Sequence, residues 1–215
     1  AFPIWAERVN DVPDTRDAET VRVIAQQYAW NIHYPGPDGK FGETRIDLVD
    51  EQDNPIGLDR NSEFAKDDFT TINQLHIPVN RKIRVDLSSK DVIHNFKLPE
   101  LRVSQDAIPG MVIPVHFTAT STSEEFLKTA VGTKREGKGL EIACAQLCGL
   151  GHYRMKGYVT IHKEDDYQAW LDEQAAYLEE DEGDEWGDDG DDWGDFGSAP
   201  AATEEATVEE SGDGG

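Results

Sequence analysis

Between Thr20 and His162 the chain is built of short runs rich in β-branched and aromatic residues, each cut off by Pro, Gly, Asn or Asp. That punctuation limits the fold more than any other feature, because many short strands without intervening long helices pack as a sandwich or barrel. The first run, Thr20 to Tyr34, ends at Pro35-Gly36-Pro37-Asp38-Gly39 and reads as a strand followed by turns. Further strands are expected at Gln74 to Ile77, Lys82 to Leu87, Val92 to Leu98, Met111 to Thr118, Gly139 to Ala143 and Tyr158 to His162. Two segments carry helical patterns. Ser123 to Ala130 forms a short helix with Ser123 as its cap, and Glu164 to Leu178 spaces Tyr167, Trp170, Leu171, Ala175 and Leu178 to make one apolar face for the barrel. The expectation is an all-β domain with a C-terminal helix.

Charge separates the end of the chain from the rest. The sequence carries 44 acidic and 20 basic residues, a net charge of −24, which argues against nucleic acid and anionic lipid as partners. From Glu179 to Gly215 there are 16 acidic residues and no Lys or Arg, so most of the excess sits there. The Glu/Asp-Trp-Gly repeats of that segment cannot bury enough apolar area to offset the entropy of ordering, and residues 181–215 read as a disordered acidic tail, a solvating extension rather than a docking element. No apolar run reaches the roughly 18 residues that a membrane-spanning helix needs.

The chemistry is concentrated in Cys144-Ala145-Gln146-Leu147-Cys148-Gly149-Leu150-Gly151-His152-Tyr153-Arg154-Met155, where two thiols, an imidazole and a thioether fall within twelve residues. Soft sulfur with imidazole nitrogen selects copper, whereas structural zinc is held by Cys and His without Met. A blue single-copper site needs one thiolate, so two at this spacing suggest two coppers sharing both sulfurs. The inert alternative places Cys144, Cys148 and His152 on one face of a core helix; Gly149 and Gly151 oppose it, each costing about 1 kcal/mol relative to Ala. A mononuclear zinc or blue-copper site is the other alternative.

The pattern Cys-x3-Cys-x3-His-x2-Met resembles the copper A loop of cytochrome c oxidase subunit II and of nitrous oxide reductase, though the chain has neither the propeller domain of the latter nor enough histidines for its catalytic cluster. Asp91-Val92-Ile93-His94-Asn95-Phe96-Lys97-Leu98-Pro99 and Asp106-Ala107-Ile108-Pro109-Gly110 resemble the oxidase segment that supplies a further histidine. The resemblance runs from about Val21 to Leu171. It implies a cupredoxin-like Greek-key β-barrel over residues 20–180, with residues 1–19 a linker after a missing membrane hairpin, in a truncated or processed form facing the periplasm. It also implies two copper ions, with Cys144 and Cys148 bridging, His94 and His152 binding one copper each, and Met155 and the Gln146 carbonyl as weak ligands. Gln146 stands where common oxidases have Glu, and lacks the charge for a strong magnesium site.

The family has Trp-x-Trp after the Gln of the first strand, with the first Trp as the entry point for electrons; here the first position is Tyr28 and only Trp30 matches, so the resemblance implies entry at Tyr28, Trp30 or another residue, while Asp91 matches an acidic position near the docking face. The implied role is the electron-transfer subunit of a respiratory oxidase, with no oxygen chemistry of its own. It would take electrons from cytochrome c, or from a fused or neighbouring c-type haem, and pass them to haem in subunit I. The alternative is a free-standing copper A or cupredoxin carrier. The wide spacing from His94 to Cys144 is expected to come from a surface insertion around residues 121–139.

Overall fold

The computed structural model describes residues 2–183, and the run from Thr20 to Tyr34 is not one strand in it but a hairpin, β1 (Glu19–Gln26) and β2 (Ala29–Tyr34). The sequence holds the reason. Val21, Val23 and Ala25 are buried at odd positions, whereas Trp30, Ile32 and Tyr34 are buried at even ones, so the period-2 pattern changes phase between them. One continuous strand would turn one of these sets to solvent. Folding back at Gln27 and Tyr28 aligns Arg22 with His33 and Ala25 with Trp30 and buries both sets on one face.

Eight more strands complete two five-stranded sheets: β3 (Phe69–Ile72), β4 (Gln74–Pro78), β5 (Lys82–Ser89), β6 (His94–Leu98), β7 (Val103–Ala107), β8 (Ile113–Thr118), β9 (Leu140–Cys144) and β10 (Lys156–His162). The first sheet has the order β3-β2-β1-β5-β8 and the second β4-β10-β9-β6-β7. Pairing is antiparallel except between β1 and β5 and between β10 and β4. Inward-facing residues of both sheets form one core around Trp30, Tyr34, Phe96, Leu75 and Ile142. Each buried large aliphatic side chain contributes about 1.5–3 kcal/mol. This is a cupredoxin-like two-sheet sandwich with a C-terminal helix. β3 and β7 are not among the strands read from the sequence, since Phe69–Ile72 and Val103–Ala107 bury few apolar side chains and resemble loops by composition.

Among the described residues the α-helices are α1 (Phe2–Trp5), α2 (Ser123–Ala130) and α3 (Glu164–Gly183). The cap of α2 is Thr122, not Ser123: Thr122 Oγ1 accepts the Glu125 amide at 3.2 Å while Glu125 Oε2 accepts the Thr122 amide at 2.9 Å. That reciprocal box needs Glu three residues after the cap, which suits Thr122. Ser123 instead accepts the Ile161 amide at 2.8 Å and ties the helix to β10. Within the region expected as a surface insertion, α2 is therefore anchored, and its following turns hold Arg135 against Glu100 in an ion pair. Along α3, Tyr167, Trp170, Leu171 and Leu178 pack on the sandwich.

Residues 35–68 leave the first sheet as a long irregular excursion with its own small core of Ile56, Leu58 and Ala65, packed against Ile24. No helix among the described residues is long and apolar enough to cross a membrane. The acidic tail expected to be disordered lies, from residue 184, outside the described residues.

Candidate metal centre

Strand endings create the site. β6 starts at His94 and β9 stops at Cys144, and the two strands pair so that Phe96 lies opposite Cys144. The loop after Cys144 returns to β10, whose first residue Lys156 lies opposite Ala143, so Met155 comes back beside Cys144. A short 3-10 turn, His152–Arg154, lets both His152 and Met155 approach Cys148. No regular helix forms between Cys144 and His152, consistent with the two glycines.

The soft donors meet at short range. Cys144 Sγ and Cys148 Sγ are 3.8 Å apart. His94 Nδ1 lies 3.9 Å from Cys144 Sγ, and His152 Nδ1 lies 3.6 Å from Cys148 Sγ. Met155 Sδ is 3.7 Å from Cys148 Sγ, and the Gln146 carbonyl oxygen is 3.1 Å from Cys144 Sγ. Among the described residues, His94, Cys144 and Cys148 are the one trio of His, Cys, Asp or Glu whose ligating atoms gather within 4.8 Å. All six positions picked out in the sequence are thus in one place.

Asp91 orients the buried imidazole. Its Oδ1 lies 2.8 Å from His94 Nε2, while the same carboxylate accepts the Gln27 and Val92 amides, each at 2.6 Å. With Nε2 held by a carboxylate, Nδ1 turns to the sulfurs, the outer-shell arrangement that fixes tautomer and ring direction in metal sites. Strand β6 therefore starts later than the expected Val92, because residues 91–93 form this turn. Trp30, fully buried, meets His94 edge-on at 6.2 Å.

Electrostatics favour one thiolate and resist two. Burial works against the charged form of Cys144, but hydrogen bonds from His94, from the backbone around Asn95 and Gln146, and from His152 outweigh it and hold the thiol down at about 6. Burial, together with the neighbouring Cys144, pushes Cys148 up to about 11. For His94, burial opposes the charge, yet contacts with Cys144 and Asp91 raise it. A second thiolate beside the first needs an added positive charge, which a metal ion supplies. The set of two thiol sulfurs, two imidazole nitrogens, a thioether and a carbonyl fits copper.

Two features of the site were not apparent from the sequence. Gln27 donates from its side-chain amide to the Cys148 carbonyl at 2.5 Å, a contact that links the β1–β2 turn to the loop. Nothing in its neighbours Gln26 and Tyr28 marks it. Tyr28 lies flat against the loop: a Cβ on Gly151 would come within 2.5 Å of the Tyr28 ring, and one on Gly149 within 2.6 Å of its hydroxyl. The rim is apolar and exposed, with Leu147 at 76%, Leu150 at 95% and Tyr153 at 81%. The signal for these was available, since they alternate with donors that must face inward.

A cupredoxin-like sandwich whose strand ends gather this donor set defines a class of domains with a soft-metal site between two sheets. The chain belongs to the family described as cytochrome c oxidase subunit II, periplasmic domain, whose model matches residues 19–161. It is 35% identical to the alternative cytochrome c oxidase subunit 2 of Bradyrhizobium diazoefficiens over 80% of this chain and 55% of that protein. It is also 36% identical to the cytochrome c oxidase subunit 2 of Thermostichus vulcanus over 70% of this chain and 32% of that protein. The chain thus spans about half the length, or less, of these relatives. The crystal structure of the periplasmic domain of subunit II of cytochrome oxidase from Bradyrhizobium japonicum superposes with a TM-score of 0.51 at 26% identity, covering 78% of this chain and 99% of that one.

Proposed function

We propose that this domain is the electron-entry relay of a haem-copper oxidase, holding two coppers between Cys144 and Cys148 and passing single electrons from a c-type haem to haem in subunit I. The observation that carries this reading is the pair of sulfurs 3.8 Å apart, each faced by an imidazole Nδ1. Cys144, Cys148, His94 and His152, with Met155 and the Gln146 carbonyl, would hold the coppers, which when bound would supply a one-electron redox centre. The protein's part is to hold the donors still. Asp91 fixes the His94 ring, Gln27 pins the Cys148 carbonyl, and Tyr28 packs against the glycines of the loop.

His94 and Met155 are buried and shield one side from water, whereas the half-buried His152 and the exposed Leu147, Leu150 and Tyr153 form the face a donor would meet. Tyr28, half-buried at that face, suits electron entry better than the fully buried Trp30, which wedges beneath His94. The Asp91 carboxylate is occupied by His94 and two amides, which favours positioning over docking as its main role. The net charge of −24 suits a basic cytochrome c drawn in by long-range attraction. The domain would face the outer side of an energy-transducing membrane.

Copper stoichiometry and the electron paramagnetic resonance spectrum of the copper-loaded full chain test this. Two coppers per chain and one unpaired electron shared by two equivalent nuclei are expected. A single copper, or zinc in its place, would overturn the reading.

A further inference from the structure

The turn that joins β1 to β2 reaches both halves of the metal centre from one residue. The Gln27 main-chain amide donates to Asp91 Oδ2 at 2.6 Å, and the other oxygen of that carboxylate lies 2.8 Å from His94 Nε2. The Gln27 side-chain amide donates to the Cys148 carbonyl at 2.5 Å. His94 faces Cys144, whereas His152 and Met155 face Cys148, so the two arms end beside different sulfurs.

Gln27 is exposed, so its side-chain bond does not serve the core. The loop is what needs it. After Cys148 comes Gly149 at φ +136°, a conformation that other residues rarely adopt, and glycine has more backbone freedom to lose than any of them. A Cβ on Gly149 would come within 2.6 Å of Gln27 Nε2, so the amide can approach this closely only beside a glycine. The Cys148 carbonyl belongs to the planar peptide unit between these two residues, and holding its direction ties ψ of Cys148 to φ of Gly149. That restraint acts on Cys148 Sγ through its Cα. It also reaches His152, whose amide donates to the Gly149 carbonyl at 3.1 Å.

We infer that Gln27 is a positioning residue for the metal pair, its side chain setting where Cys148 Sγ stands relative to Cys144 Sγ, an inference that rests on the two-copper reading above. The sulfurs have unlike surroundings: Cys144 has His94 and the Gln146 carbonyl, and Cys148 has His152 and Met155. The spectrum expected of two equivalent nuclei requires these unlike sets to stay matched, and a site of this kind tolerates displacements of only about 0.5 Å. Water can replace Gln27 as a donor to the carbonyl, but it cannot hold the carbonyl's direction.

The test compares the full chain with Gln27→Leu and Gln27→Glu, by electron paramagnetic resonance and reduction potential when copper-loaded and by unfolding when copper-free. Both substitutions keep the main-chain bond to Asp91; Leu removes the side-chain donor, and Glu sets an acceptor against the carbonyl. In the copper-free chain the ¹³C resonance of the Cys148 carbonyl should move in both variants. Both should hold two coppers, with the pattern of equivalent nuclei giving way to an unequal one, more so for Gln27→Glu. The reduction equilibrium should shift by about tenfold, which is about 59 mV for one electron. Unfolding of the copper-free variants should stay close to that of the unaltered chain, as for an exposed side chain. An unmoved carbonyl resonance, or an unaltered spectrum and potential in both variants, overturns the inference. So does a spectral change that comes with an equal loss of stability, the mark of a strut for the turn. An unaltered chain that never shows two coppers would instead overturn the relay reading, which keeps the two failures apart.

Discussion

Strand β10 connects two histidine clusters of opposite character. Just before its first residue, His94 and His152 turn their Nδ1 atoms towards sulfurs at 3.9 and 3.6 Å. At its last residue, His162 Nε2 meets His76 Nδ1 at 2.8 Å, and the His76 ring lies parallel to Trp170 with centroids 4.2 Å apart. Seven residues at about 3.3 Å each separate the two ends. The ring nitrogens at the far end face each other under an aromatic lid, whereas at the near end Asp91 holds His94 Nε2 so that Nδ1 stays available. Available donors, rather than histidines as such, make a metal site. In the sequence His76 and His162 are indistinguishable from ligands by residue type alone.

If the two ends are independent, damage to the far one should leave the near one intact. Trp170→Ala removes the ring that stacks on His76 and meets Tyr34 and Phe69 edge-on. Unfolding in denaturant should show a loss of about 3 kcal/mol, the usual cost of truncating a large packed aromatic. Copper content and spectrum should not change; a parallel loss of copper would break the comparison by showing that α3 supports the metal end.

The next effect is on the near cluster alone. Asp91→Asn keeps the size of the side chain but removes the charge that aims His94. Copper affinity, measured by competition with a chelator, should fall about 10–100-fold, as is typical for outer-shell partners. Unfolding of the copper-free chain should change far less. Equal losses of affinity and stability would mean that Asp91 is a structural strut for the turn rather than an orienter of the ring.

How far these features could be read in advance depended on whether they were local. The donor loop is contiguous, so Cys144, Cys148, His152 and Met155 announced themselves through spacing and chemistry. His94 is 50 positions away from Cys144, and only its resemblance to a family segment separated it from His76 or His162. The hairpin was legible in the phase change between Ala25 and Trp30, yet propensity alone joined its arms into one strand. Gln27 and the His33–Asp68 pair were out of reach, because their contacts span 121 and 35 positions and leave no local periodicity. The excursion of residues 35–68 had turn signals but too few apolar residues to predict its small core on Ile24.

Acid provides a finer test of the difference between the clusters. Burial and then the neighbouring His162 hold His76 down at about 4, and burial lowers His162 as well, partly offset by Asp166. Since the unfolded chain takes up these protons near the ordinary value of about 6.5, it binds more protons than the folded chain between those limits. Stability from His76 is therefore complete above pH 6.5 and is lost as pH falls towards 4. The shift corresponds to roughly 3 kcal/mol for a shielded group, and partial exposure reduces this to about 1–2 kcal/mol. Denaturation of wild type and His76→Gln at several pH values should show the slope reduced by that amount. A slope identical in both would mean that the rings separate and rehydrate as soon as one is charged.

The smallest effect on stability belongs to the rim of the metal end. Leu150, 95% exposed, has almost nothing to lose on truncation, so Leu150→Ser should change unfolding by less than about 0.5 kcal/mol. Its value lies in what it would contact. With Leu147 and Tyr153 it forms an apolar group on a chain of charge −24, a combination expected where attraction brings a partner in and apolar contact holds it. Reduction of the copper-loaded domain by cytochrome c in stopped flow should slow by about 2–5-fold in this variant, the range for a contact short of a hot spot. The dependence on ionic strength should stay the same, because no charge has been removed. An unchanged rate would shift the contact away from Leu150 and leave Tyr28 and Tyr153 as the part of the rim to probe, while a changed salt dependence would mean that the substitution had moved charged neighbours.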